Sequence, residues 1–323
     1  YSLMRDIERL YLCYQRINQS PLGACAIGGS SIPIDRKRTA VLLGFDSLVT
    51  NSLDATSSRD VFLEYAAILS ITASSLSRMA EDFIIWSTTE FGYIELADRF
   101  SSTSSAMPQK KNPDPLELIR AKSAIVTAHM VALFGGVKAL PSGYSRDLQE
   151  MKPQLFESSA TTLAMLKIMN GIVRSLQVNT NRMKAASKSS YAVSLDIAEQ
   201  FVLNNKIPFR EAHRIVGNLV DKAAARGVSL AELDSKEIRS ILRPLNSGLD
   251  SALVASTIKD MTPEKSVESR KSTGSPNKKE QEEMIKSLSQ NIRNYKQGIQ
   301  KRIKMVEGAF QNLSLEVKRY QES

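Results

Sequence analysis

Two cysteines, two histidines and one tryptophan are all that this chain of 323 residues holds of its scarcest side chains. Two thiols make no disulfide framework, and a reducing cytoplasm suits them. Both Cys13 and Cys25 fall in early segments that look core-facing. No spacing of His and Cys matches a zinc site, and no glycine-rich phosphate loop or cofactor motif is present, so no cofactor is expected. Aromatics are only 6% of the chain, and no aromatic-basic motif of the RNA-binding kind occurs. The net charge of +9 therefore points away from nucleic acid and towards a basic protein surface or a site that attracts a polyanionic substrate. With 15 glycines and no regular strand spacing, a β architecture is disfavoured. The apolar stretch 61–86 is interrupted by Glu64, Arg78, Glu81 and Asp82, which a membrane span would tolerate poorly. A helix buried among other helices explains it better, and no membrane partner is expected.

What is abundant is aliphatic. Hydrophobic residues make up 42%, mostly Leu, Ile, Val, Ala and Met, which favours helix. Helical periodicity is clearest over 1–18, 58–87, 114–134 and 152–176. Ser57 or Ser58 can cap the second of these, with Asp60 in its first turn. Asp114 can cap the third, with Pro115 at the first position and Glu117 as capping-box partner. The fourth carries Leu155, Phe156, Leu163, Met165, Leu166, Ile168, Met169, Ile172, Val173 and Leu176, which leaves few purely polar faces. Such a helix must be covered on every side, so helices of other subunits are expected to share its burial. Beyond 179 the helices shorten. Residues 264–279 read as a mobile Lys/Ser/Glu linker. From Glu280 to about Gln321 a long amphipathic helix carries Ile285, Leu288, Ile292, Tyr295, Ile299, Ile303, Val306, Phe310, Leu313 and Val317 in heptad-like spacing with one stutter, suited to packing on its own subunit or to an inter-subunit coil.

Chemistry concentrates in one run, Ser104-Ser105-Ala106-Met107-Pro108-Gln109-Lys110-Lys111-Asn112-Pro113-Asp114. Pro108 and Pro113 disfavour helix in the residue before each, so a loop is expected. Adjacent hydroxyls, cations and a carboxamide on a helical scaffold suit chemistry on an anion. As plain surface, the same run would be a polar loop.

The run resembles the signature of the fumarase/aspartase superfamily, Gly-Ser-Ser-x-Met-Pro-x-Lys-x-Asn. Ser104, Ser105, Met107, Pro108, Lys110 and Asn112 match it. Thr103 replaces the leading Gly, where Thr resists backbone angles open to Gly. The sequence Gln109 to Asp114, followed by Leu116-Glu117-Leu118-Ile119-Arg120, is similar to the argininosuccinate lyase branch. So are Ser20-Pro21-Leu22-Gly23-Ala24 with Pro33-Ile34-Asp35-Arg36, and Asn51-Ser52-Leu53-Asp54-Ala55 with Ser58-Arg59-Asp60. The stretch Leu140 to Lys152 resembles a further family segment, from which Ser145, Arg146 and Met151 depart while Tyr144, Gln149 and Lys152 are kept.

The resemblance implies an all-α fold: a long-helix bundle shared between the subunits of a homotetramer, a small C-terminal helical domain and a C-terminal amphipathic helix. The corresponding segments here are 1–178, 179–262, a linker at 263–279, and 280–323. It implies a cytoplasmic lyase that cleaves argininosuccinate to arginine and fumarate by anti elimination, in arginine biosynthesis. The alternatives are a sister lyase acting on adenylosuccinate or aspartate, and a non-catalytic, crystallin-like structural protein. Ser104 maps to the family's base, and Lys110 and Asn112 to groups on the enediolate side of the substrate. Glu117 maps to a residue of the site, with the capping role equally open. Tyr144, Gln149 and Lys152 map to substrate-binding positions, or else form a polar turn. Arg59 maps to a carboxylate ligand, or else to a helix-surface ion pair. The family's acid-side histidine lies in a Thr-His pair upstream of this sequence. His129 and His213 both follow Ala and match no catalytic position. The first helix also opens in mid-pattern, so a missing N-terminal part and an inactive fragment are expected.

Overall fold

The computed structural model describes residues 1–103, 107, 111–245 and 248–322. The described residues form thirteen α-helices and a few two-residue strands. In chain order the helices are α1 (Ser2–Ile17), α2 (Arg36–Leu42), α3 (Ser52–Ser57), α4 (Asp60–Ser87), α5 (Asp114–Val137), α6 (Met151–Ser175), α7 (Thr180–Ser189), α8 (Ser194–Asn205), α9 (Phe209–Arg226), α10 (Ser235–Leu242), α11 (Ser251–Asp260), α12 (Pro263–Ser269) and α13 (Lys278–Glu322). Two compact units result: Tyr1–Glu90, Ile94–Gln177 and Leu288–Ser323 form one, Phe91–Tyr93 and Val178–Ser287 the other.

In the first unit α4, α5 and α6 pack together. Leu69, Ala73, Leu76 and Ala80 of α4 meet Leu116, Ile119 and Val126 of α5 and Met165, Met169 and Ile172 of α6. The three-and-four spacing of these residues is the pattern that lets long helices pack nearly parallel. Gly171 of α6 sits against the ring of Phe100, where a Cβ would overlap Cζ. Among the described residues α5 alone is long and apolar enough to cross a membrane by length and composition. Its Leu116, Ile119, Val126 and Leu133 are instead buried against protein.

Local chemistry changed several expected boundaries. Ser57 and Ser58 do not cap α4. Asn51 caps the separate short helix α3, whose last residue is Ser57, and Arg59 occupies the N-cap position of α4. Asp114 is the first residue of α5 rather than its cap, and no side chain caps that helix. The Asp114 carboxylate accepts instead from the Ser102 hydroxyl, so the capping box with Glu117 does not form. Cys13 is buried, but Cys25 is exposed with left-handed backbone (φ 54°), contrary to its expected core position.

The second unit has its own core, centred on Phe201, Ile215, Leu219, Ile238 and Val254. Gly227 ends α9 in the left-handed conformation, the usual helix stop. Residues 263–269, expected as part of a mobile linker, form α12. Thr262 caps it, and Ser266 donates to the buried Asp196 at 2.7 Å. Arg270 lies 2.8 Å from the same carboxylate. A buried carboxylate with two partners outweighs the polar composition that suggested a linker.

α13 packs along the first unit of its own chain from Leu288 onward. Tyr295 meets Tyr11 edge to face at 5.4 Å. Arg302 donates to Gly44 O at 2.6 Å and to Asp46 Oδ1 at 2.5 Å, and Arg38 pairs with Glu316 at 2.8 Å. Gly44 has φ of 77°, and a Cβ there would lie 3.2 Å from Ala309. A glycine thus permits both the turn and the close approach.

Candidate active site

The signature run is anchored at both ends in the first unit. Ahead of it come two parallel two-residue strands, β1 (Gln19–Ser20) and β2 (Ser47–Leu48), and a third, β3 (Ile94–Glu95). Then β4 (Ser102–Thr103) and β5 (Lys111–Asn112) pair antiparallel, Ser102 opposite Asn112 and Thr103 opposite Lys111. The run is therefore closed at its base by a short ladder that hands directly on to α5. Thr103 sits in this extended ladder, a conformation in which a β-branched residue is at home. The backbone freedom of a glycine is not required at that position.

Ser104 and Lys110 lie outside the described residues. Asn112 is half-buried on β5, and its carboxamide makes no hydrogen bond to a described residue. Glu117 is exposed on α5, without a capping partner. Arg59 is half-buried, and its guanidinium donates to Ser58 O at 2.6 Å and Thr56 O at 3.1 Å. It thereby closes the end of α3, and among the described residues it makes no ion pair. Tyr144 and Gln149 are brought together: Gln149 Nε2 donates to the Tyr144 hydroxyl at 2.5 Å. Lys152 is exposed in the first turn of α6. Among the described residues no hydrogen bond or ion pair joins the Tyr144–Gln149 pair to Arg59, Asn112 or Glu117.

Lys111 was not singled out in the sequence, yet it is the most strongly perturbed group near the loop. Its Nζ lies 2.7 Å from Glu95 Oε1 and 2.7 Å from Asp98 Oδ1. Hydrogen bonding to Asp98, then to Glu95, pushes its pKa above the usual lysine range. The same hydrogen bond from Lys111 lowers the Asp98 carboxyl. Two acids three residues apart, upstream of a Lys-Lys pair, are the only sequence signal, and it is a weak one. His129 Nδ1 lies 3.1 Å from Ser158 Oγ, and the His213 ring lies tilted beside Phe209, centroids 6.1 Å apart. Among the described residues no group of three or more His, Cys, Asp or Glu side chains gathers to hold a metal. Two cavities of about 540 and 560 Å³ lie between α1 and α13, and none of the six described candidate residues lines either.

Comparison with known proteins points to one superfamily. A lyase family model matches residues 1–128, and an argininosuccinate lyase C-terminal model matches residues 191–268. Both matches fit the fumarase/aspartase superfamily. It is 42% identical to the argininosuccinate lyase of Nitrosopumilus maritimus over 98% of this chain and 64% of that protein. It is 40% identical to the argininosuccinate lyase of Methanococcoides burtonii, over 98% of this chain and 63% of the relative. Among solved structures it is similar to an EDDS lyase in complex with formate, with a TM-score of 0.85 and 28% identity over 98% of this chain and 63% of that one. The superfamily's all-α fold agrees with the helices described above. The chain thus spans less than two thirds of the length of these relatives.

Proposed function

We propose that this chain supplies the signature-loop part of a lyase that cleaves argininosuccinate to arginine and fumarate. The observation that carries the reading is the similarity, over 98% of this chain, to argininosuccinate lyases at 42% and 40% identity. The reaction needs a base for the proton beside a carboxylate, donors for the resulting enediolate, an acid for the leaving nitrogen and a grip on the substrate. Ser104 is the base. A hydroxyl becomes basic enough only where its alkoxide is stabilised, and Lys110 with Asn112 supply charge and an oriented amide donor. Asn112, whose carboxamide makes no hydrogen bond to a described residue, can turn its amide to an oxyanion. Glu117 is available to the site, since no cap engages it. The Tyr144–Gln149 pair presents polar groups to the amino-acid and guanidino part of the substrate. Lys152 and Arg59 bind its carboxylates. None of the eight takes the acid role.

The whole enzyme is a homotetramer in this reading. Phe156 (67% exposed), Leu163 (52%), Val131 (61%) and Phe134 (47%) stand open on α5 and α6 of a single chain. Large open aliphatic and aromatic faces on bundle helices call for burial against further helices. The same assembly accounts for described candidate residues that line neither cavity between α1 and α13. A cytoplasmic location agrees with two free cysteines.

A sister lyase with another succinyl-amine substrate is the second reading, because the EDDS lyase fold matches at a TM-score of 0.85. Assaying the complete protein with argininosuccinate, adenylosuccinate and aspartate separates the readings. We expect fumarate and arginine from the first alone. Turnover of another substrate in its place contradicts the proposal, and no turnover of any of the three favours a structural protein.

A further inference from the structure

The ladder at the foot of the signature loop is held by side chains as well as by backbone. On β4 the Ser102 hydroxyl donates to the Asp114 carboxylate at the start of α5. On β5 the Lys111 ammonium lies 2.7 Å from Glu95 Oε1 and 2.7 Å from Asp98 Oδ1. Successive side chains of a strand point to opposite faces. Fixing Lys111 towards Glu95 and Asp98 therefore sets which way its neighbour Asn112 faces. A two-residue strand has almost no ladder to resist rotation about its own axis, so its side-chain anchors matter more than they would in a longer sheet.

We propose that Lys111 is a positioning residue, whose ammonium, shared between Glu95 and Asp98, holds β5 so that the Asn112 carboxamide faces the reacting substrate. This rests on the reading of Asn112 as an enediolate donor given above. Lys111 does not touch substrate; it acts through Asn112. All three charged side chains are substantially exposed, at 41%, 61% and 89%. Exposed pairs are individually weak and are screened by salt, so the effect is modest and salt-dependent. Misorientation of a donor that acts in the transition state lowers kcat more than it raises KM.

The test is steady-state kinetics of the complete protein with argininosuccinate, at low and high salt. The variants are Lys111→Gln, Lys111→Arg, the double variant Glu95→Gln/Asp98→Asn, and the triple combination. We expect Lys111→Gln to lose roughly fivefold in kcat with KM nearly unchanged, and Lys111→Arg to recover most of it. The double variant should reproduce the loss, and adding Lys111→Gln to it should cost nothing further, as for residues acting as one unit. High salt should narrow the gap between wild type and variants. Melting curves identify any variant that has simply lost its fold. Equal kcat in wild type and Lys111→Gln overturns the proposal. So does a loss in Lys111→Gln that the carboxamide double variant does not share, since Lys111 would then be acting on substrate itself. No turnover by the wild type refutes the proposed substrate instead, and takes the role of Lys111 with it.

Discussion

Asp196 shows how much one side chain can decide. It is 2% exposed, takes the Ser266 hydroxyl at 2.7 Å and faces Arg270 at 2.8 Å. These contacts turn a Lys/Ser/Glu-rich segment into a docked helix. Asp196→Ala strands the Ser266 hydroxyl and leaves Arg270 without its carboxylate. We expect a loss of about 2–3 kcal/mol in the unfolding of the second unit by urea; a change within about 0.5 kcal/mol would show that α12 is held by other contacts. The cysteines give a second residue-level test. Burial, assisted by the nearby Glu64 charge, pushes the Cys13 thiol up to about 11, while Cys25 is exposed. A thiol reagent near pH 8 should titrate Cys25 at once and Cys13 only on unfolding. The sign of the linkage follows from the same shift. Above pH 9 the unfolded chain ionises Cys13 first, so rising pH favours unfolding until the folded thiol itself ionises near 11. Rapid labelling of both thiols in the native protein would contradict the buried position. At this scale the sequence carried the identities of the candidate residues but not their partners. Nothing in a pattern of letters says that Asp114 prefers the Ser102 hydroxyl to the capping position, or that Arg59 turns back onto the carbonyls of α3.

The long helices were legible element by element because their apolar positions recur at three and four over many turns. The expected 58–87, 114–134 and 152–176 became Asp60–Ser87, Asp114–Val137 and Met151–Ser175. The start of α4 moved to Asp60 because Asn51 caps a separate helix that ends at Ser57, and that six-residue helix, α3, escaped notice because it is too short to show a period. The ladder of β4 and β5 escaped for the same reason, being two residues a side. Gly171 tests the packing of these elements. In a free helix Gly to Ala would stabilise by about 1 kcal/mol. Here the added methyl would overlap the end of the Phe100 ring, and overpacking costs about 1–3 kcal/mol. We expect Gly171→Ala to lower the melting temperature, and Phe100→Leu in the same chain to recover part of the loss by making room. A more stable Gly171→Ala variant would mean that the ring moves aside freely.

Across the whole molecule, two compact units and a set of open apolar faces are what one chain presents. The all-apolar character of the 152–176 segment was visible in the sequence, and Phe156 and Leu163 are indeed left uncovered. What covers them is not encoded by periodicity within one chain. We expect the complete protein to sediment as a tetramer, and Phe156→Asp with Leu163→Asp to yield smaller species that keep their helical circular dichroism. A wild type that is a stable monomer at micromolar concentration would contradict the shared bundle. The candidate site was legible only in part for a related reason: its residues come from separate segments of the chain, and among the described ones only Tyr144 and Gln149 are joined by a hydrogen bond. The central claim, that the signature run carries elimination chemistry, is tested most directly by turnover of argininosuccinate by the complete protein and its Ser104→Ala variant, followed through the fumarate released. The account predicts steady fumarate release by the wild type. It predicts a loss of roughly 10²–10⁴-fold in kcat for Ser104→Ala with the fold and assembly intact, the span that a positioned base contributes. Near-normal turnover in Ser104→Ala would contradict it.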